Sequence, residues 1–157
     1  MLSPTKIAIE EFSKIDNLIE KIYSIDREKL NKCCSAFRSR ARSTLSQIVD
    51  LGLPSTILFI YSKCEKEIFS LLNENKINEL GKKEPLKVAY GLYLLLIKDI
   101  LKDRLGMVSQ EDPLNFSKEL LADKVKLSLA TASLLKILIE VKKIAEAVYK
   151  EETGRER

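Results

Sequence analysis

The stretch FRSRARSTLSQIVDLGLPSTILFIYSKC, residues 37–64, contains two helical patterns and the break between them. Its two halves show the apolar periodicity of helices, and they meet at a Gly-Leu-Pro break. Gly52 is the residue type that most often follows the end of a helix, and Pro54 is the type favoured in a first helical turn. The stretch therefore predicts two consecutive helices closed into a hairpin.

The same periodicity extends in both directions from the hairpin. Ser3-Pro4 and Asp112-Pro113 each combine an N-cap residue with a proline, which indicates that further helices begin there. Five glycines and four prolines in 157 residues leave little turn chemistry for strands. The sequence thus predicts an all-α, single-domain bundle of about six helices. Their expected bounds are 4–26, 27–51, 54–72, 85–105, 113–126 and 127–151.

The composition is that of a soluble globular protein, with 45% hydrophobic and 32% charged residues. We expect a helical domain over residues 1–151 and a charged tail over residues 152–157. The longest nearly continuous apolar run, residues 88–97, is about half of the roughly 20 residues that span a bilayer. Residues 1–20 lack the apolar core of a signal peptide. We therefore expect a cytoplasmic protein without a membrane contact.

The residue types exclude most catalytic chemistry. The chain has no histidine, which removes the commonest general base and nucleophile partner. Its cysteines, Cys33, Cys34 and Cys64, form no CxxC pair and are expected to be reduced core residues; a redox pair with Cys64 is the alternative. Asp99 and Asp103 are flanked by basic residues, as on a solvated helix face. We expect no catalytic residue, cofactor or metal, and hence a binding or assembly protein.

Positive charge concentrates in the second predicted helix. The whole chain has a net charge of +4, but residues 29–49 carry five basic side chains and no acid, a local charge of +5. Arg38 and Arg42 share one expected exposed flank, whereas Arg40 lies about 160° around the helix. Two interpretations remain open: solvated arginines beside a packed helix, or unpaired charges that contact nucleic-acid phosphates without reading bases. The basic residues concerned are Lys29, Lys32, Arg38, Arg40 and Arg42.

The opening stretch and the C-terminal helix carry a family resemblance. A basic-x-basic-Ala run, a Leu-x-x-Ile turn, Gly-Leu, and Thr-apolar-apolar-Phe followed by a lysine resemble the small helical subunit of the type III-B CRISPR effector, the Cmr complex. The matching residues in this stretch are Arg40, Ala41, Arg42, Leu45, Ile48, Gly52, Leu53, Thr56, Leu58, Phe59 and Lys63. Those in the C-terminal helix are Ala132, Leu134, Leu135, Leu138, Lys142, Lys143, Ala145, Glu146 and Ala147.

This resemblance implies a non-catalytic role in antiviral defence. Members of that family stack as several copies along the complex and line the channel in which guide RNA pairs with target RNA, while larger subunits cleave the target. The implied partners are therefore guide RNA, target RNA, other copies of the chain and the larger subunits, with weak or no self-association in isolation. The expected RNA-binding residues become Lys29, Lys32, Arg38, Arg40, Arg42 and Lys63.

Two other functions remain open from the sequence. The first is the small subunit of another CRISPR effector, such as the Csm complex or the archaeal type I-A complex. The second is a helical adaptor that binds protein and no RNA. Guide RNA that co-purifies with the chain would separate the adaptor from both effector subunits.

Overall fold

The computed structural model describes residues 3–151, and every regular element in that range is helical. The prediction of an all-α bundle is confirmed, with eight α-helices between residues 3 and 151 in place of about six. The expected tail, residues 152–157, lies outside the described residues. The helices are α1 (Pro4–Ile22), α2 (Arg27–Leu51), α3 (Leu53–Cys64), α4 (Lys66–Asn73), α5 (Ile77–Leu80), α6 (Pro85–Asp99), α7 (Pro113–Leu121) and α8 (Lys124–Val148); a π-helical turn, Ile100–Arg104, continues α6.

Side-chain caps explain where several helices begin. Ser3 caps α1, Asp26 caps α2 and Asp112 caps α7, each by accepting a hydrogen bond at 3.1 Å from a backbone N–H three residues on. Asp123 accepts from the N–H groups of two residues in the first turn of α8. The last helix therefore begins at Lys124, three residues before the expected position, because Asp123 caps its first turn.

The expected helix 54–72 is wrong as a single element. Glu65 has a φ of 76°, and its left-handed backbone divides the segment into α3 and α4. Both helices pack against α6, and a Cβ on Gly91 of α6 would come within 2.7 Å of a Leu72 methyl group. Close packing against α6 thus overrides a local pattern that contains no glycine or proline at the break. The expected long connection after residue 72 contains the single turn α5.

The core is built around α6 and a group of aromatic rings. Residues 88–98 of α6 are buried except for Tyr90, as the long apolar run predicted. Phe37 of α2 is completely buried, and its ring centroid lies 6.1, 5.5 and 6.2 Å from those of Phe12, Tyr93 and Tyr149. This aromatic cluster joins α1, α2, α6 and the end of α8. Among the helices within residues 3–151, none is long and apolar enough to cross a membrane.

The three cysteines are free thiols, and their burial agrees with the expected core role. Cys33 and Cys64 are buried, and Cys34 is half-buried. The pKa of each of the three thiols is raised, and burial is the largest cause in every case. The pKa values of Cys34 and Cys64 are raised to about 12. Because thiolate is the reactive form, these side chains are unreactive near neutral pH.

Alkylation by iodoacetamide at pH 8 is therefore expected to be slow in the native protein and fast for all three thiols in urea. Cys34 should be modified before Cys33 and Cys64 because only Cys34 is half-buried. The raised folded-state pKa values also mean that the free energy of unfolding falls as the pH rises from about 9 towards about 12, since the thiols ionise first in the unfolded chain. Mass spectrometry of a labelling time course tests the order; rapid native labelling of Cys33 or Cys64 would contradict it.

Candidate nucleic-acid interface

The basic helix α2 presents its charges on the two flanks of a buried face. Phe37, Ala41 and Ile48 form the inward face and are almost completely buried. Arg38 and Arg42 extend towards the C-terminal end of α8, and Arg40 extends towards α6. The helical spacing predicted this division between the flanks.

The expectation that Arg38 and Arg42 are both exposed is wrong for Arg38. Both arginines are paired with acids, which contradicts the interpretation of unpaired charges. Only 15% of the Arg38 side chain is exposed, and its Nη1 lies 3.2 Å from Oε2 of Glu151. Arg42 is 50% exposed; its Nε donates to Oε2 of Glu146 at 3.1 Å and its Nη1 donates to Oε2 of Glu151 at 3.1 Å. Glu146 of α8 and Glu151, which follows that helix, thus supply two acids to a segment of α2 that contains none. The hydrogen bond from Arg42 to Glu146 is the largest cause that raises the pKa of Arg42.

Arg40 is held by an aromatic side chain on the other flank. Its Nη1 donates to the hydroxyl of Tyr90 at 3.0 Å, and its guanidinium carbon lies 4.6 Å from the centroid of the Tyr90 ring. This combined hydrogen bond and cation–π contact orients the guanidinium without neutralising its charge. Tyr90 was not singled out from the sequence because it lies fifty positions away on α6.

The remaining predicted residues lie in other surroundings. Lys29 is half-buried at the start of α2, and Lys32 pairs loosely with Glu28 at 3.9 Å beside a groove that is also lined by Asp16. Lys63 is exposed in the last turn of α3, with its Nζ 5.5 Å from the centroid of the Phe59 ring. The contacts therefore divide the six predicted residues among several neighbours.

The carboxylates that were considered for catalysis are paired with lysines. Oδ1 of Asp99 lies 3.0 Å from Nζ of Lys98, and Oδ1 of Asp103 lies 3.8 Å from Nζ of Lys102. Burial is the largest cause that raises the pKa of Asp99. Within residues 3–151, no group of three or more His, Cys, Asp or Glu side chains is placed to hold a metal ion.

A second network of charges joins α1 to the π-helical turn. Glu11 is only 1% exposed, and its Oε2 lies 2.7 Å from Nε of Arg104. Its Oε1 lies 3.0 Å from Nζ of Lys14, and Nη1 of Arg104 also reaches Oε1 of Glu10 at 2.8 Å. The sequence did not reveal this network, because Glu11 and Arg104 are 93 positions apart and neither belongs to a local motif.

Comparisons with known proteins agree on one relationship. Residues 11–148 match the model of the family described as CRISPR-associated protein (Cas_Cmr5). The curated "CRISPR system CMR subunit Cmr5" of Saccharolobus solfataricus is 30% identical over 155 residues, which cover 91% of this chain and 91% of that protein.

A solved structure has the same fold as this chain. It is a chain of the type III-B Cmr-beta complex bound to non-cognate target RNA, determined by cryo-electron microscopy. The two chains superpose with a TM-score of 0.70 and 24% sequence identity, over 97% of this chain and 99% of that chain.

Proposed function

Because the chain belongs to the Cmr5 family of CRISPR-associated proteins, we propose that it is the small subunit of a type III-B Cmr effector complex and contacts the guide RNA–target RNA duplex there. The resemblance found in the sequence is confirmed at the level of the family. In the proposed role the chain stacks with other copies along the complex, and the larger subunits carry out cleavage.

The observation that carries the RNA contact is the basic surface of α2. Five basic residues lie between positions 29 and 49 without an acid in the same segment, and half of the Arg42 side chain remains exposed. A guanidinium binds phosphate oxygens through two parallel hydrogen bonds, so Arg42 on one flank of α2 and Arg40 on the other each suit a backbone phosphate of an A-form duplex. Base pairing between guide and target would supply the sequence specificity, because phosphate contacts carry none.

The role is proposed to be non-catalytic. The chain has no histidine, and its Asp99 and Asp103 carboxylates each lie beside a lysine. Nζ of each lysine lies near Oδ1 of its carboxylate and would compete with a metal ion for that oxygen. The surface of α2 therefore positions RNA, and no side chain on it acts as a general acid or base.

Exposed apolar residues support the proposed contacts with other subunits. Val49 and Leu51 lie in the last turn of α2, just before Gly52, and are 71% and 59% exposed. Val125 and Leu129 are exposed in the first half of α8. Apolar side chains grouped on a surface are typical of protein–protein interaction sites. Contacts at such sites would leave the basic surface of α2 available for RNA.

The RNA contact is tested by assembling the complex with an Arg42→Gln/Lys63→Gln variant. We expect it to release RNA at lower salt than the native complex, with a salt dependence that is shallower by about one for each phosphate that is no longer neutralised. A Lys82→Gln/Lys118→Gln variant is the matched control, since it removes two exposed lysines from other parts of the bundle. Arg38 is left intact because its buried position links it to the fold.

The measurement is the amount of guide RNA that remains with the tagged complex across a salt series. Equal RNA retention by the native complex and the Arg42→Gln/Lys63→Gln variant would exclude Arg42 and Lys63 as RNA contacts. A complex that contains the protein partners but never any guide RNA would favour the protein-binding adaptor instead.

The isolated chain is expected to be a monomer at low concentration. A stacking subunit contacts its neighbours head to tail, and such contacts would produce open-ended fibres if they were strong without RNA. RNA and the larger subunits would raise the effective concentration of each copy. Analytical ultracentrifugation over a concentration series measures this directly; a closed dimer that persists at nanomolar concentration would contradict the stacking role.

A further inference from the structure

Two carboxylates at the end of α8 occupy the donors of the α2 arginines. A single oxygen, Oε2 of Glu151, lies 3.2 Å from Nη1 of Arg38 and 3.1 Å from Nη1 of Arg42. Oε2 of Glu146 accepts from Nε of Arg42. The arrangement places two negative charges where a phosphate would have to approach the same guanidinium groups.

We propose that Glu146 and Glu151 form an acidic latch that competes with RNA for Arg38 and Arg42. The latch rests on the proposed function, because it regulates the same arginines. Carboxylate and phosphate oxygens both bind the guanidinium fork, so one group replaces the other. In the isolated chain the carboxylates hold the arginines and repel a phosphate, whereas in the assembled complex the closely spaced phosphates of the duplex replace them.

The position of Glu151 suits such an exchange. α8 ends at Val148, and Tyr149 has an extended ψ of 142°, so Glu151 follows the helix on non-helical backbone. The Tyr149 ring is buried in the aromatic cluster, and its hydroxyl donates to Asp16 at 2.7 Å. The anchor at Tyr149 holds the end of α8 in place, and Glu151 lies beyond that anchor. Displacing Glu151 therefore leaves the packed part of the helix unchanged.

The exposure of the contacts also suits an exchange. Arg42, Glu146 and Glu151 are all partly exposed, and ion pairs in contact with water contribute little to stability. Arg38 differs, because its Nε is buried and has no hydrogen-bond partner among the described residues. Movement of Glu151 would release Nη1 of the same guanidinium to an incoming oxygen.

The test measures binding of the full-length isolated chain to a fluorescent RNA duplex of mixed sequence, by anisotropy over a salt series. Glu146→Gln, Glu151→Gln and the double variant keep the shape of the side chains and remove their charge. The control is Glu79→Gln on α5, which makes the same change in net charge as each single variant at an exposed site on another element. Circular dichroism confirms that each variant is folded.

We expect the double variant to bind the duplex about tenfold more tightly than the native chain, with a salt dependence steeper by about one to two. Glu79→Gln should change the affinity much less, and adding Arg42→Gln to the double variant should abolish the gain. If Glu79→Gln raised the affinity for the duplex as much as Glu146→Gln or Glu151→Gln does, the gain would be an effect of net charge alone. That result would overturn the latch.

Two further results would also overturn the latch without deciding the proposed function. One is RNA binding that is the same in every variant. The other is no RNA binding by the double variant, since released arginines would then fail to hold phosphate. In both cases the retention of guide RNA by the assembled complex still decides whether the chain contacts RNA.

Discussion

Phe37→Ala is expected to lower the free energy of unfolding by about 4 kcal/mol. The Phe37 ring is completely buried and contacts the rings of Phe12, Tyr93 and Tyr149, so its removal leaves a cavity bordered by three elements besides its own helix. The surrounding rings are large and rigid, which limits how far the core can collapse into the space. Urea denaturation followed by circular dichroism measures the change.

The matched control is Phe59→Ala, which removes the same side chain from a half-buried position on α3. It should destabilise the protein by less than about 2 kcal/mol, because less of its apolar area leaves water on folding. Similar losses in the two variants would show that the aromatic cluster around Phe37 does not act as the centre of the core.

Arg104→Gln is expected to lower the free energy of unfolding by about 3 kcal/mol. The substitution leaves the carboxylate of Glu11 almost completely buried, with Lys14 as its one remaining ion-pair partner within residues 3–151. An ionised group that loses its partner in the interior retains the penalty of desolvation. The π-helical turn should also loosen, since Arg104 lies at its end and attaches it to α1.

The control for this network is Glu10→Gln, which removes the exposed partner of Arg104. We expect a loss below about 1 kcal/mol, as for other solvated ion pairs. A double-mutant cycle between Glu11→Gln and Arg104→Gln isolates the coupling of the buried pair. Additive effects in that cycle would show that the two side chains do not stabilise one another.

The sequence predicted those parts of the fold that depend on local chemistry. Apolar periodicity and the Gly-Leu-Pro break predicted α2, α3 and their junction, and the Asp112-Pro113 pair predicted the start of α7. The single helix over 54–72 was wrong because the left-handed backbone at Glu65 is imposed by packing against α6. No property of Glu65 itself distinguishes it from a residue within a helix.

The candidate site was predictable only in part. Helical spacing correctly divided Arg38 and Arg42 from Arg40, because residues on one helix keep their angular relation wherever the helix packs. The acids at the end of α8 were not foreseen as partners, since Arg42 and Glu146 are 104 positions apart and only the tertiary fold brings them together. The assignment of these residues to RNA stays a prediction.

The aromatic cluster has a consequence for the synthesis of the chain. α1 is made first, yet it packs against α8 and places Phe12 against Tyr149. Until Tyr149 leaves the ribosome, Phe12 and Phe37 lack one wall of their native surroundings, although the earlier helices can already form. The nascent chain therefore exposes apolar aromatic surface until Tyr149 has left the ribosome, and the native core closes only at that late stage.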